Sequence, residues 1–211
     1  MPKAQVPQSS KPRGIDAHHS RTLEAALQSL PFLTAHRARA DAHEWYETRP
    51  YAALAPALRA QTFTAGTLRG AGKLAINALV RARKDESESV VLVHLGRDLC
   101  GHAGIVHGGM VAALLDEGLG RAGVLNTPEK VGFTASMTVE YRAPTLAEQF
   151  VAIKTRVART EGRKVWIEGV MEDLAGKVLA EAKALYIQPA QTDLLDKTTL
   201  HQVFGEPECR I

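Results

Sequence analysis

The chain has 211 residues, 45% of them hydrophobic and 23% charged, which is enough apolar material for one substantial core. A formal net charge of +3 argues against a nucleic-acid partner, and no run approaches the roughly 20 apolar residues of a membrane-spanning helix. Two cysteines, Cys100 and Cys209, make no disulfide framework, and this favours a reducing, intracellular compartment, cytoplasmic or mitochondrial.

Residues 1–22 read as a loose tail. Lys3, Lys11, Arg13 and Arg21 face a single acid, Asp16, a balance faintly like a transit peptide, but Pro2, Pro7 and Pro12 spoil any amphipathic helix. From 22 to 60 the composition turns helical over 23–27 and 36–46, broken by Pro31, Pro50 and Pro56. This predicts a helical extension that packs on the domain or over a neighbour, with a lid as the alternative.

Beyond residue 60 the period changes to two. A strand within 76–83 leads through the charged turn 84–88 to a continuous apolar run at 90–95, fit for a buried strand. An apolar helix runs from Gly109 to about Ala122. The segment 133–142 alternates, with Phe133, Ala135, Met137, Val139 and Tyr141 on one face and Thr134, Ser136, Thr138, Glu140 and Arg142 on the other. Strands at 150–159 and 164–172 flank a hairpin turn at 160–163, and a last strand covers 178–187. The pattern predicts an α+β fold with one long helix lying across an antiparallel sheet of five to six strands. The expected divisions are an extension over 1–60, a domain over 61–190 and a C-terminal tail over 191–211.

The run from Gly101 to Glu117 carries the chemistry. A glycine-rich loop with His102 and His107 enters the helix, which holds Asp116 and Glu117 about two turns further on. Glycines at a helix start let a ligand approach the backbone, and the unpaired N–H groups of the first turn favour developing negative charge. A carboxylate on an otherwise apolar helix needs partners, or a use for its basicity. Together they suggest acyl transfer. Val111, Leu114, Leu115 and Leu119 form one face of the helix, and Gly109, Ala112, Ala113, Asp116 and Gly120 a second stripe of small residues around one acid. That stripe leaves room for a ligand or for close packing of another backbone. Glu117, about 100° round the helix, reads as solvated or capping a loop, with a lesser claim to be the acid. His94, His102 and His107 show no metal-ligand spacing, so no metal is expected. Cys100 reads as a buried thiol, and the Gly-x-Gly-Lys of 70–73 as a turn.

His107-Gly108-Gly109, with Asp116 nine positions after the histidine, resembles the hotdog-fold acyl-CoA thioesterases, nearest the branch with phenylacetyl-CoA thioesterase and the THEM group. The resemblance continues through Thr134 to Pro144 and covers roughly 75–188. It implies an acyl-CoA substrate hydrolysed to free acid and CoA, with no metal or redox cofactor. It assigns Gly109 a backbone N–H to the thioester carbonyl, His107 a part in shaping the loop and in binding the substrate or helping at the carbonyl, Asp116 the role of nucleophile or general base, and Thr134 the positioning of water. Relatives often carry Asn or Gln six residues before the histidine. Here Gly101 stands there, with His102 beside it as a candidate for the polar contact. Arg142, Arg163 and Lys164 are candidates for CoA phosphates and equally for ordinary strand-end charges. Seven residues of helix separate Gly109 from Asp116, roughly 10 Å. One subunit's pair therefore straddles a single carbon poorly, and a homodimer, or a dimer of dimers, would pair them across a two-fold as the family does. The alternatives are a hotdog hydratase or dehydratase and a non-catalytic acyl-CoA-binding protein.

Overall fold

The computed structural model describes residues 17–192 and 203–205, so most of the basic tail and Cys209 lie outside it. Helices α1 (Ala17–Gln28) and α2 (Pro31–Arg37) come first, the second opening on a proline whose missing N–H costs nothing at that position. Strand β1 (Trp45–Thr48) and the short helix α3 (Pro56–Ala60) follow, then a π-helical turn at Phe63–Thr67. The rest of the chain forms β2 (Leu79–Arg83), β3 (Glu88–Leu95), the small ribbon of β4 (Cys100–His102) and β5 (Ile105–Val106), and the long helix α4 (Gly108–Leu125). Four strands close it: β6 (Phe133–Tyr141), β7 (Gln149–Glu161), β8 (Lys164–Asp173) and β9 (Val178–Ile187).

One antiparallel sheet runs in the order β1-β2-β3-β7-β8-β9-β6, with α4 against β6 to β9 and β3. This is a hotdog arrangement. The six strands expected beyond residue 60 are present, and the extension adds a seventh. Its source differs from the expectation of helix over 36–46. There α2 ends at Arg37, and Trp45 to Thr48 pair with Arg83 to Val80 of β2. The open edge of β2 offers backbone partners that a helix would leave unmet, and Trp45, Tyr46 and Thr48 suit a pleated surface.

The apolar run in β3 is explained by burial on both faces. Val91, Val93 and Leu95 join the core under α4, while Val90 and Leu92 pack with Leu27 and Leu33 of α1 and α2. His94 belongs to this second face, its ring 5.0 Å from that of Phe150, away from His102 and His107.

On the other face, Ala180, Ala182 and Ala184 of β9 are buried and small enough to seat α4 closely. A Cβ at Gly169 would lie 2.4 Å from Leu119 Cδ1, and one at Gly123 would lie 2.3 Å from the Tyr186 ring. Tyr186 therefore stands on Gly120 and Gly123, one turn and two turns after Asp116. Part of the small-residue stripe is thus a seat for this ring.

Strand β6 departs from simple alternation at one point. Thr134 pairs with Tyr186 and Ser136 with Leu185, leaving Ala135 as the extra residue of a bulge. The slip returns Thr134 to the face shared by Met137, Val139 and Tyr141, which is the face towards α4. The turn between β7 and β8 is the two-residue hairpin Gly162-Arg163, whose glycine takes φ +54°.

Candidate active site

His107 caps α4. Its Nδ1 accepts the Gly109 N–H at 2.9 Å, so the ring hydrogen belongs on Nε2, which is left as a donor. Its own N–H bonds Leu99 O at 2.9 Å, tying the loop to the segment before β4. The Gly109 N–H assigned to a carbonyl by resemblance is therefore engaged in this state, and a ligand oxygen must displace His107 Nδ1 or share the hydrogen. The Gly108 N–H has no hydrogen-bond partner among the described residues. Gly101 is explained by close approach, since a Cβ there would meet His107 Cδ2 at 2.9 Å. His102 is exposed, pairs through its backbone with Ile105, and has no side-chain partner among the described residues.

The acid lies further along the helix. Asp116 Oδ1 accepts the Thr134 hydroxyl at 2.8 Å and the Tyr186 hydroxyl at 3.1 Å, and the same tyrosine reaches Asp116 O at 3.0 Å. The second carboxylate oxygen has no partner among the described residues and stays open to a ligand. Tyr186 is buried, and burial together with the nearby Asp116 charge pushes its phenol far above the usual range. It remains a donor at any working pH.

Sequence reasoning placed Asp116 and Thr134 in one site but missed Tyr186. The cross-strand register of Thr134 and Tyr186, which brings both hydroxyls to Asp116, exists only once β6 and β9 pair. Tyr141 was missed as a tether as well: its hydroxyl donates to Gly108 O at 2.9 Å. Both candidate stretches of α4 are thus tied to β6, Asp116 near the start of the strand and Gly108 near its end.

Glu117 corrects an expectation. Its two oxygens accept the hydroxyls of Tyr51, from the extension, and Thr64, from the π-helical turn that follows it, and it lines a cavity beneath α4. A residue about 100° from Asp116 points into the core side of a helix whose other side meets β6. Burial and the Glu117 charge push the Tyr51 phenol up as well.

The three cationic candidates divide between the two ends. Arg142, after β6, is held by Glu140 and Glu181 beside the Gly108 end. Arg163 donates to Gln188 O at 2.7 Å, and Lys164 pairs with Ile187, itself paired with Phe133 beside Thr134. Among the described residues no three His, Cys, Asp or Glu side chains gather where they could hold a metal ion.

Strand β6 is the last strand of the sheet, and it leaves Phe133 57% and Tyr141 55% exposed. The groups that could polarise a carbonyl and the acid that could attack it lie along this one edge.

An uncharacterised protein of Schizosaccharomyces pombe is 36% identical to this chain over 115 residues, 53% of this chain and 66% of that protein. An uncharacterised mitochondrial protein of Candida albicans is 32% identical over 130 residues, 59% of this chain and 58% of its own length. The mouse acyl-coenzyme A thioesterase THEM4 is 30% identical over 131 residues, covering 62% of this chain and 54% of its own. The chain thus spans about half to two thirds of the length of these relatives. Residues 103–180 match the family model of the thioesterase superfamily, a stretch that takes in the His107 loop, all of α4 and strands β6, β7 and β8. It is this segment that carries the chain's likeness to the thioesterase superfamily.

Proposed function

We propose that the chain hydrolyses an acyl-CoA thioester to a carboxylic acid and CoA, with Asp116 as the reacting carboxylate. The observation that carries this reading is the state of Asp116: one oxygen held by two hydroxyls, the other open, on the helix whose capped N-terminus bears His107-Gly108-Gly109. Similarity to the mouse acyl-coenzyme A thioesterase supports the substrate class.

The acid can work by either of two routes. As a general base, its open oxygen takes a proton from water while the water oxygen attacks the thioester carbon. As a nucleophile, the same oxygen attacks and the resulting anhydride is then hydrolysed. Negative charge collects on the carbonyl oxygen in both. The first-turn N–H groups and the helix dipole stabilise it, the oxyanion displacing His107 Nδ1 from the Gly109 N–H or sharing its hydrogen. The C–S bond then breaks, and the CoA sulfur leaves as a thiolate that takes up a proton.

Gly109 and Asp116 lie about 10 Å apart along one regular helix, so the catalytic unit is a homodimer, or a dimer of dimers, with each site shared between chains. The exposed edge of β6 is the surface for that pairing. Arg142, Arg163 and Lys164 then take the CoA phosphates from both ends of the edge. A mitochondrial setting is supported by the likeness to the mitochondrial protein of Candida albicans, and no helix among the described residues is long and apolar enough to cross a membrane.

Thiol release from a panel of short aliphatic and aromatic acyl-CoA esters tests the reading. Asp116→Asn should lower turnover by about 10²–10⁴, with Glu117→Gln within a few-fold of the parent. Glu117→Gln as the dead variant would overturn the choice of acid. Hydration of an enoyl thioester without thiol release would replace hydrolysis by hydratase chemistry, and binding without turnover would leave a non-catalytic acyl-CoA-binding protein.

A further inference from the structure

Among the described arginines that the fold buries wholly or in part, all but Arg59 and Arg69 meet a carboxylate. Arg37 and Arg81 meet Glu47, Arg49 meets Glu24, Arg83 meets Glu44, and Arg121 meets Glu86. Backbone carbonyls hold the two exceptions. Arg59 Nη2 donates to the carbonyls of Tyr51, Ala52 and Leu54, and its buried Nε has no partner among the described residues. Arg69 donates to the carbonyls of Ile76 and Ala75. A carbonyl orients a guanidinium but carries no net charge, so both cations stay uncompensated.

The two side chains line one cleft of about 440 Å³ between α3 and the π-helical turn. Its walls are fixed by close approach, since a Cβ at Gly66 in the turn would lie 2.2 Å from Arg59 O. Pro56 and Ala60, which also line the cleft, are exposed, so a small ion reaches it from solvent. Burial, and then the neighbouring charge of Arg59, lower the Arg69 pKa to about 10. The two cations are therefore close enough to repel, and both remain protonated at neutral pH.

Two like charges held by neutral acceptors in a half-buried cleft favour an anion between them. The charge of that anion decides its class. A halide or a carboxylate compensates one guanidinium and leaves the other. A phosphate group carries about −1.5 to −2 at neutral pH and has three acceptor oxygens, so it compensates both and accepts hydrogen bonds from each.

We propose that the Arg59–Arg69 cleft is a binding site for a phosphate dianion, separate from the groups that act on the thioester. His107, Gly109 and Asp116 do not line it. A phosphate dianion arrives either free in solution or as a lipid headgroup. Leu58 of α3 and Phe63 of the turn are 40% and 57% exposed, apolar neighbours of the kind a lipid surface would cover, so both sources are tested.

Titration calorimetry of the full chain with inorganic phosphate at constant ionic strength tests the free ion, and no turnover is measured, so the outcome is independent of the thioesterase reading. Phosphate should bind at least about tenfold more tightly than acetate or chloride. Arg59→Gln and Arg69→Gln should each weaken it by at least about tenfold, while Gly109→Val, altered at the N-terminus of α4, binds it like the parent. Sedimentation with phosphatidylcholine vesicles that contain phosphatidate, lost in the same arginine variants and absent without phosphatidate, would make the headgroup the source. Binding in neither assay, or unchanged binding in both arginine variants, would overturn the proposal, as would acetate binding as tightly as phosphate. Loss in Gly109→Val alone would move the anion to α4. Displacement of phosphate by CoA but not by dephospho-CoA would make the cleft part of the substrate site and overturn its separateness. If the arginine variants do not fold, phenylglyoxal decides on the parent chain. Phosphate should protect Arg59 and Arg69 from modification and leave the exposed Arg97 reactive, and equal modification with and without phosphate would refute the site.

Discussion

Tyr186→Phe is the sharpest probe of how Asp116 is held. The substitution removes one hydroxyl that reaches Asp116 O at 3.0 Å and Oδ1 at 3.1 Å, and leaves the ring on Gly120 and Gly123. The seat of α4 is thereby kept, and the loss falls on the carboxylate. A hydrogen bond to a charged group contributes about 1.5–3 kcal/mol. Thr134 still holds the same oxygen at 2.8 Å, so the effect belongs at the lower end, about 1.5 kcal/mol or roughly tenfold in kcat. Thr134→Val should cost about the same for the mirror-image reason. With both hydroxyls gone the carboxylate is free to turn, and the double variant should lose more than the sum, by a coupling of at least about 0.5 kcal/mol. Thiol-release kinetics on the four proteins, with KM little changed and thermal unfolding as the control for folding, measure the cycle. Additive single effects within twofold, alongside a dead Asp116→Asn, would refute the idea that the two hydroxyls position the acid together.

The remaining predictions concern assembly and pH. Gly109→Val places a Cβ 3.0 Å from His107 Nδ1, breaking the cap, and should lower turnover by about 10²–10³. Refolded together, Gly109→Val and Asp116→Asn chains should recover about one quarter of the parental sites, because about half the dimers are mixed and each mixed dimer has one intact site; no recovery despite proven subunit exchange would mean a self-contained site. His36 has its pKa lowered from 6.5 to about 4, first by burial and then by the charges of Arg81 and Arg39. The unfolded chain therefore binds the proton more readily. The associated stability is complete above pH 6.5 and is lost as pH falls towards 4, by at most about 3 kcal/mol. Urea unfolding between pH 7.5 and 4.5 should show a flatter acid limb for His36→Phe than for the parent, and parallel curves would contradict the argument.

Much of the domain is written in local patterns. The helix start at His107-Gly108-Gly109, the apolar face of α4 and the hairpin at Gly162 each depend on neighbours within a few positions, so spacing reveals them. The acid at Asp116 was legible for the same reason, as a carboxylate on an apolar helix. Other features depend on partners far along the chain. Trp45 to Thr48 became a strand because β2 offered an edge, and no periodicity over four residues announces that. The bulge at Ala135 reversed the facing of Thr134 relative to Met137, and only pairing with β9 decides where an extra residue is absorbed. Tyr186 joined Asp116 across 70 positions, and Tyr51 and Thr64 turned Glu117 inward across 66 and 53. The sequence alone thus determined the fold class, the loop–helix unit and the place of Asp116 on it, because those rest on 3.6- and 2-residue periods. Tertiary packing decided which hydroxyls hold each acid and which backbone N–H is already engaged, because a hydrogen bond is set by distances of about 3 Å that no local period encodes.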